Sequence, residues 1–161
     1  MDAHRGRLLR LCRLLLRDPE EAQDVVQDVF VKAYDAQMQG RAPGDWATWL
    51  TRVAINACHD RRRAGWWMHF RGSSARGEEL QVMAAADPSP ADRALGEETR
   101  RLIWLAFRRL PERQRQVFVL RYIEELSTEE AAATLGLSPG SVKRHLFRAI
   151  SRLREGLRGA S

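Results

Sequence analysis

Apolar positions recur at three- and four-residue intervals through most of the chain, so the sequence reads as all-α. Between Arg7 and Leu16 the repeat is carried by Leu8, Leu11, Cys12, Leu15 and Leu16, with arginines on the other face. Asp18-Pro19 then caps and starts a second helix. Ala22, Val25, Val26, Val29, Phe30, Ala33 and Tyr34 share one stripe of it. The opposite face carries Glu20, Glu21, Asp24, Gln27 and Asp28. Acids in a first turn complement the helix dipole, which accounts for Glu20 and Glu21. Asp24 and Asp28 lie beyond that turn and need another reason. GRAPGD at 40–45 is a loop by its Gly and Pro content. Asp45 can cap a third helix running to about Arg63. Its core stripe is Trp46, Trp49, Leu50, Val53, Ala54 and Ala57, with Cys58 a further candidate. Its outer face carries Arg52, Asn56, His59 and the run Arg61-Arg62-Arg63. Trp46, beside the loop, suits either the core or a base-stacking surface.

From Trp66 the period is lost. Residues 66–95 read as a linker, with a short helix near Glu78 to Ala86 and an aromatic cluster from Trp66 to Phe70. A tether of this length lets two small domains change their arrangement. From Gly96 the helical period returns through Leu102, Ile103, Ala106, Phe107 and Leu110. Pro111 ends that helix and begins another, where Val117, Leu120 and Tyr122 or Ile123 face inward. Two further helices follow, joined by a tight turn. Ser127 and Glu130 form a capping box. Ala132, Ala133 and Leu135 give the short helix an apolar face, and Gly136 suits its left-handed end. Ser138 and Pro139 start a long helix with Val142, Leu146, Ala149, Ile150, Leu153 and Leu157 on one stripe. Its outer face carries Ser141, Lys143, Arg144, Arg148 and Arg152. Short helix, glycine turn and long basic helix make a helix-turn-helix, whose second helix enters the DNA major groove. The expected organisation is a helical domain at 1–65, a linker at 66–95 and a four-helix helix-turn-helix domain at 96–161.

Charge strengthens the case for DNA. The net charge is +6, and 13 basic against 8 acidic residues fall in 97–161. Between Ser141 and Arg158 six Lys or Arg face one acid, Glu155. A basic surface fits a polyanion. Cys12 and Cys58 are too few and too far apart for a disulfide framework or a zinc site, so no metal is expected. No apolar run approaches the ~20 residues that span a bilayer. LLRLCRLLL is broken by arginines and followed by acids, unlike a signal peptide. A cytoplasmic protein is the simple expectation. An enzyme fits poorly. His4, His59, His69 and His145 are scattered, and no nucleophile elbow or phosphate loop is present. Cys58 and His59 are neighbours, but adjacent helical positions point about 100° apart, which is poor geometry for a dyad.

Three stretches carry a family resemblance. DPEEAQDVVQDVFVKAY resembles the acidic helix of extracytoplasmic-function (ECF) sigma factors of the sigma-70 family. DWATWLTRVAINACHDRRR is similar to that family's promoter helix. LPERQRQVFVLRYIEELSTEEAAATLGLSPGSVKRHLFRAISRLR resembles its C-terminal module from end to end. The resemblance implies a protein that binds core RNA polymerase and directs it to promoter DNA, with no cofactor. It implies polymerase contacts at Asp24, Gln27 and Asp28. It implies −10 recognition and melting around Trp46, Asn56, Asp60, Arg61 and Arg62. It implies −35 recognition by Ser141, Lys143, Arg144 and Arg148, and an anti-sigma factor as inhibitor. The chain departs from the family in having Ser141 for the usual Thr and Ala131 for the usual Ile. The second change leaves a smaller core residue in the helix-turn-helix. The late start also implies a short first helix. A stand-alone helix-turn-helix regulator would share the C-terminal module, but it gives no reason for the acidic face at 24–28.

Overall fold

The computed structural model describes residues 2–68 and 96–159. The chain divides into two compact units, to which these two stretches belong. Among the described residues every regular element is helical.

The first unit is three mutually packed helices: α1 (Asp2–Leu15), α2 (Pro19–Met38) and α3 (Trp46–Met68). α1 begins at Asp2 and spans 14 residues, so the expected short first helix is a full one. Leu8, Leu11, Cys12, Leu15 and Leu16 meet Ala22, Val25, Val26, Val29 and Ala33 in the core, with Leu50, Ala54, Ile55 and Cys58 from α3. Asp18 caps α2 as expected, its carboxylate accepting from the Glu20 amide at 2.8 Å. Tyr34 departs from expectation: it stands 62% exposed, because the buried stripe ends at Ala33 and the last turns of α2 run past the core. Trp49 is half-buried rather than core, while Ile55 and Thr51, not in the expected stripe, are buried. Arg7 donates to Thr51 Oγ1 at 2.9 Å and to the Ala47 carbonyl at 3.1 Å, tying α1 to the start of α3. This satisfies the one buried hydroxyl in that stripe. α3 runs past Arg63 to Met68, so residues 66–68 of the expected linker are helical. The short helix near Glu78 to Ala86 and the rest of the aromatic cluster lie outside the described residues.

The second unit comprises α4 (Glu97–Arg108), α5 (Glu112–Phe118), a π-helical turn (Val119–Ile123), α6 (Thr128–Leu135) and α7 (Pro139–Arg158). α4, α5 and α6 all pack on α7. The core holds Trp104, Phe107, Leu110, Val117, Val119, Leu120, Ala131, Ala132, Val142 and Ala149. Arg108 lies over the Trp104 ring, 4.5 Å from its centroid, so its charge is held against an aromatic face. Two inward expectations fail here. Tyr122 and Ile123 are 55% and 53% exposed, and Ala133 is exposed. The π turn is the reason for the first pair. It inserts one extra residue per turn, so the residues after Leu120 rotate by roughly 100° away from the helical register. Glu124 N–H closes this turn on the Val119 carbonyl at 2.9 Å.

Candidate nucleic-acid and partner interfaces

The helix-turn-helix is built by its caps. Ser127 Oγ accepts from the Glu130 amide at 3.1 Å, and Glu130 Oε2 accepts from the Ser127 amide at 2.7 Å. Gly136 ends α6 at φ 66°, a conformation costly for any residue with a Cβ. Leu137 N–H returns to the Ala132 carbonyl at 2.9 Å, closing the turn. Ser138 Oγ then accepts from the Ser141 amide at 3.1 Å and starts α7. Ala131, in the first half of α6, is fully buried.

The expected −35 residues emerge together from the first half of α7. Lys143, Arg144 and Arg148 are exposed and Ser141 is half-buried. Arg144 Nη2 donates to Ser141 Oγ at 3.0 Å, and Ser141 Oγ also lies 3.0 Å from Ser138 Oγ. Ser141 therefore belongs to the cap and holds the Arg144 side chain. Sequence reading missed Phe147, which is 73% exposed, the most exposed large apolar residue among the described ones. It stands three residues after Arg144 and so shares its face. A helical wheel would have placed it there. His145 is turned toward α5. Burial comes first, and the nearby charges of Arg113, Arg148 and Arg144 add to it, holding the imidazole pKa below its ordinary 6.5.

In the first unit the expected residues do not form one surface. Asn56 and Asp60 are exposed on one face of α3, and Arg52 and Arg63 flank them. Trp46 and Trp49 stand at the start of this helix with ring centroids 5.6 Å apart, edge to face, neither fully buried. Asp45 orders the helix start. Thr48 Oγ1 and the Ala47 amide both donate to it, and the Thr48 hydrogen bond is the main cause of its lowered pKa. Arg62 is drawn to the opposite side, its Nη1 3.5 Å from the Leu15 carbonyl at the end of α1. Arg61 leans onto α2, with Nη2 3.3 Å from Asp28 Oδ2 and Nη1 3.9 Å from Asp24 Oδ2. The acidic face expected on α2 is exposed along Asp24, Gln27 and Asp28. Val31 (56%), Tyr34 and Met38 (68%) continue the same face to the end of the helix. A groove of about 540 Å³ opens beside it, lined in part by Arg5, Leu9, Asp24 and Gln27.

The described residues thus present an acidic stripe on α2, an aromatic pair at the start of α3 and a capped, basic-faced helix-turn-helix. The comparisons give the family. Residues 1–68 match sigma-70 region 2 and residues 100–153 match sigma-70 region 4. The chain is similar to the RNA polymerase sigma-E factor of Streptomyces avermitilis, 39% identical over 93% of this chain and 78% of that protein. It is also similar to the ECF RNA polymerase sigma factor SigM of Mycobacterium tuberculosis H37Rv, 32% identical over 93% of this chain and 71% of that one. Among solved structures it resembles the sigma factor RpoE of Bartonella quintana, determined with the anti-sigma factor NepR. That match has a TM-score of 0.67 and 25% identity, and it covers 96% of this chain and 92% of that one. It likewise resembles CnrH, determined with the cytosolic domain of CnrY, at TM-score 0.65 and 28% identity over 96% and 82% of the two chains. The chain belongs to the ECF group of the sigma-70 family. It is an RNA polymerase sigma factor, of a family whose members are not catalytic enzymes. Among the described residues no group of three or more His, Cys, Asp or Glu could hold a metal ion. No helix among them is long and apolar enough to cross a membrane.

Proposed function

We propose that the two units divide the work, with 1–65 holding polymerase and the −10 element, 66–95 as linker and 96–161 reading the −35 element. The observation that carries this reading is the exposed face of α7, where Arg144, Arg148 and Phe147 stand together at the N-terminal half of a capped recognition helix. Arginine matches guanine edges and phosphates, and an exposed aromatic ring suits a thymine methyl. Lys143 flanks this face as a phosphate contact. On α3, Asn56, Asp60 and Arg61 belong to the −10 surface, with Arg63 beside them, while Trp46, with Trp49 next to it, offers a ring face to an unstacked base during melting. Arg62, held near the Leu15 carbonyl, serves that surface from its edge.

Asp24, Gln27 and Asp28 are the polymerase-binding residues, extended by Val31, Tyr34 and Met38. An acidic half followed by an apolar half gives a partner both steering and buried area. The two solved relatives in anti-sigma complexes support an anti-sigma partner for this chain as well. The place of action is the cytoplasm, where core polymerase and the promoter are. The test of the polymerase face is charge reversal. Asp28→Arg leaves the helical circular-dichroism signal and the melting temperature near wild type, because the side chain is exposed, and it weakens binding to core polymerase at least tenfold. A folded variant with wild-type polymerase affinity removes this face from the interface.

A further inference from the structure

Arg61 and Arg62 are both expected at the −10 surface, yet Arg61 is engaged elsewhere. Arg61 bridges the two carboxylates of the polymerase face, at 3.3 Å to Asp28 and 3.9 Å to Asp24. The contact is a surface one. The side chains of Arg61, Asp24 and Asp28 are 36%, 62% and 58% exposed. Water reaches all three groups, so the pair shifts an equilibrium by no more than about fivefold and exchanges readily. Any cation that polymerase brings to Asp24 and Asp28 competes with Arg61 for the same oxygens.

We propose that Arg61 is an exchangeable cation shared between the two interfaces of the first unit. Asp24 and Asp28 hold it while polymerase is absent. When polymerase takes those carboxylates, Arg61 is displaced and its charge passes to a promoter phosphate. The exchange makes polymerase binding and −10 binding favour each other. Linkage requires the reverse effect to have the same size, so DNA that captures Arg61 uncovers the acids and tightens polymerase binding equally. The inference rests on the reading of Asp24, Gln27 and Asp28 as the polymerase face, and it adds a role for Arg61 that neither surface alone implies.

The experiment measures binding of the labelled full chain to core RNA polymerase, with and without fork DNA bearing a −10 element. Without DNA, Arg61→Gln binds polymerase about two- to fivefold more tightly than wild type, because an internal competitor of that strength is gone. In an Asp24→Asn/Asp28→Asn background the same change has no further effect. In the holoenzyme, Arg61→Gln lowers the slope of log affinity against log salt for the fork DNA by about one. Several results overturn the proposal. One is unchanged or weaker polymerase binding by a folded Arg61→Gln protein. Another is equal tightening in the background without the acids, which would mean general charge repulsion. A third is a lowered melting temperature with both affinities unchanged, which would make Arg61 a structural tie between α2 and α3. If Asp24→Asn/Asp28→Asn alone leaves polymerase binding unchanged, the polymerase reading of this face fails and the proposal falls with it. If that variant weakens binding and Arg61→Gln does not strengthen it, only the exchange fails.

Discussion

Arg144 carries the most at the scale of single residues. Its guanidinium rests on Ser141 Oγ, itself fixed by the Ser138 cap, so the side chain is already directed outward before DNA arrives. Preorganisation of this kind reduces the ordering cost of a base contact. Arg144→Ala therefore weakens −35 binding by about 1–3 kcal/mol and relaxes base preference, while DNA of scrambled sequence loses less. Equal binding to both DNAs by variant and wild type would remove Arg144 from recognition. His145, next in the chain, works in the fold. Its Nδ1 is buried with no hydrogen-bond partner, and the charges facing it are Arg113 from α5 and Arg144 and Arg148 from its own helix. Because its folded pKa lies below the ordinary 6.5, the unfolded chain binds more protons between the two values. Stability from this group is complete above pH 6.5 and is lost as pH falls toward the folded pKa. Urea melts of wild type between pH 7.5 and 5 therefore show a drop in that window that His145→Gln lacks. Parallel curves for the two proteins would contradict this.

At the scale of elements, the helix ends were legible and the helix directions only partly so. Asp18-Pro19, the Ser127–Glu130 box, Gly136 and Ser138-Pro139 all act where the sequence places them, because capping is local chemistry between residues two to five apart. That Lys143, Arg144 and Arg148 stand exposed on one helix was legible for the same reason, since that helix is well capped. Tyr122 and Ile123 were not, because a π turn breaks the period on which the expectation rests. Nor was the direction of Arg61, since its partners sit on another helix and no local pattern encodes that contact. The close approach of α4 to α7 was equally hidden. A Cβ on Gly156 would lie 2.8 Å from Ala106 Cβ, inside contact distance, whereas one on Gly140 meets nothing nearer than 4.0 Å. The two glycines should thus respond with opposite sign. Gly156→Leu destabilises the second unit by about 1–3 kcal/mol through overpacking. Gly140→Ala stabilises it by about 0.5–1 kcal/mol through lower unfolded-state entropy. Denaturant midpoints of the two variants check the contrast, and a neutral Gly156→Leu would show that the helices can part without cost.

At the scale of the whole molecule, the account is of a protein that needs polymerase to act. Charge is placed to suit that. The second unit holds most of the basic excess, while the first presents acids on α2 and a mixed face on α3. A free regulator of the helix-turn-helix kind needs only the first of these features. The acidic stripe of α2 and its apolar continuation through Tyr34 and Met38 are what set this chain apart from such a regulator. The most direct test is run-off transcription from a randomised promoter library with core RNA polymerase, with and without this protein. The account predicts discrete transcripts from a restricted promoter class only when the protein is present, together with promoter binding that depends on polymerase. No new transcripts, or tight sequence-specific binding by the protein alone, would contradict it.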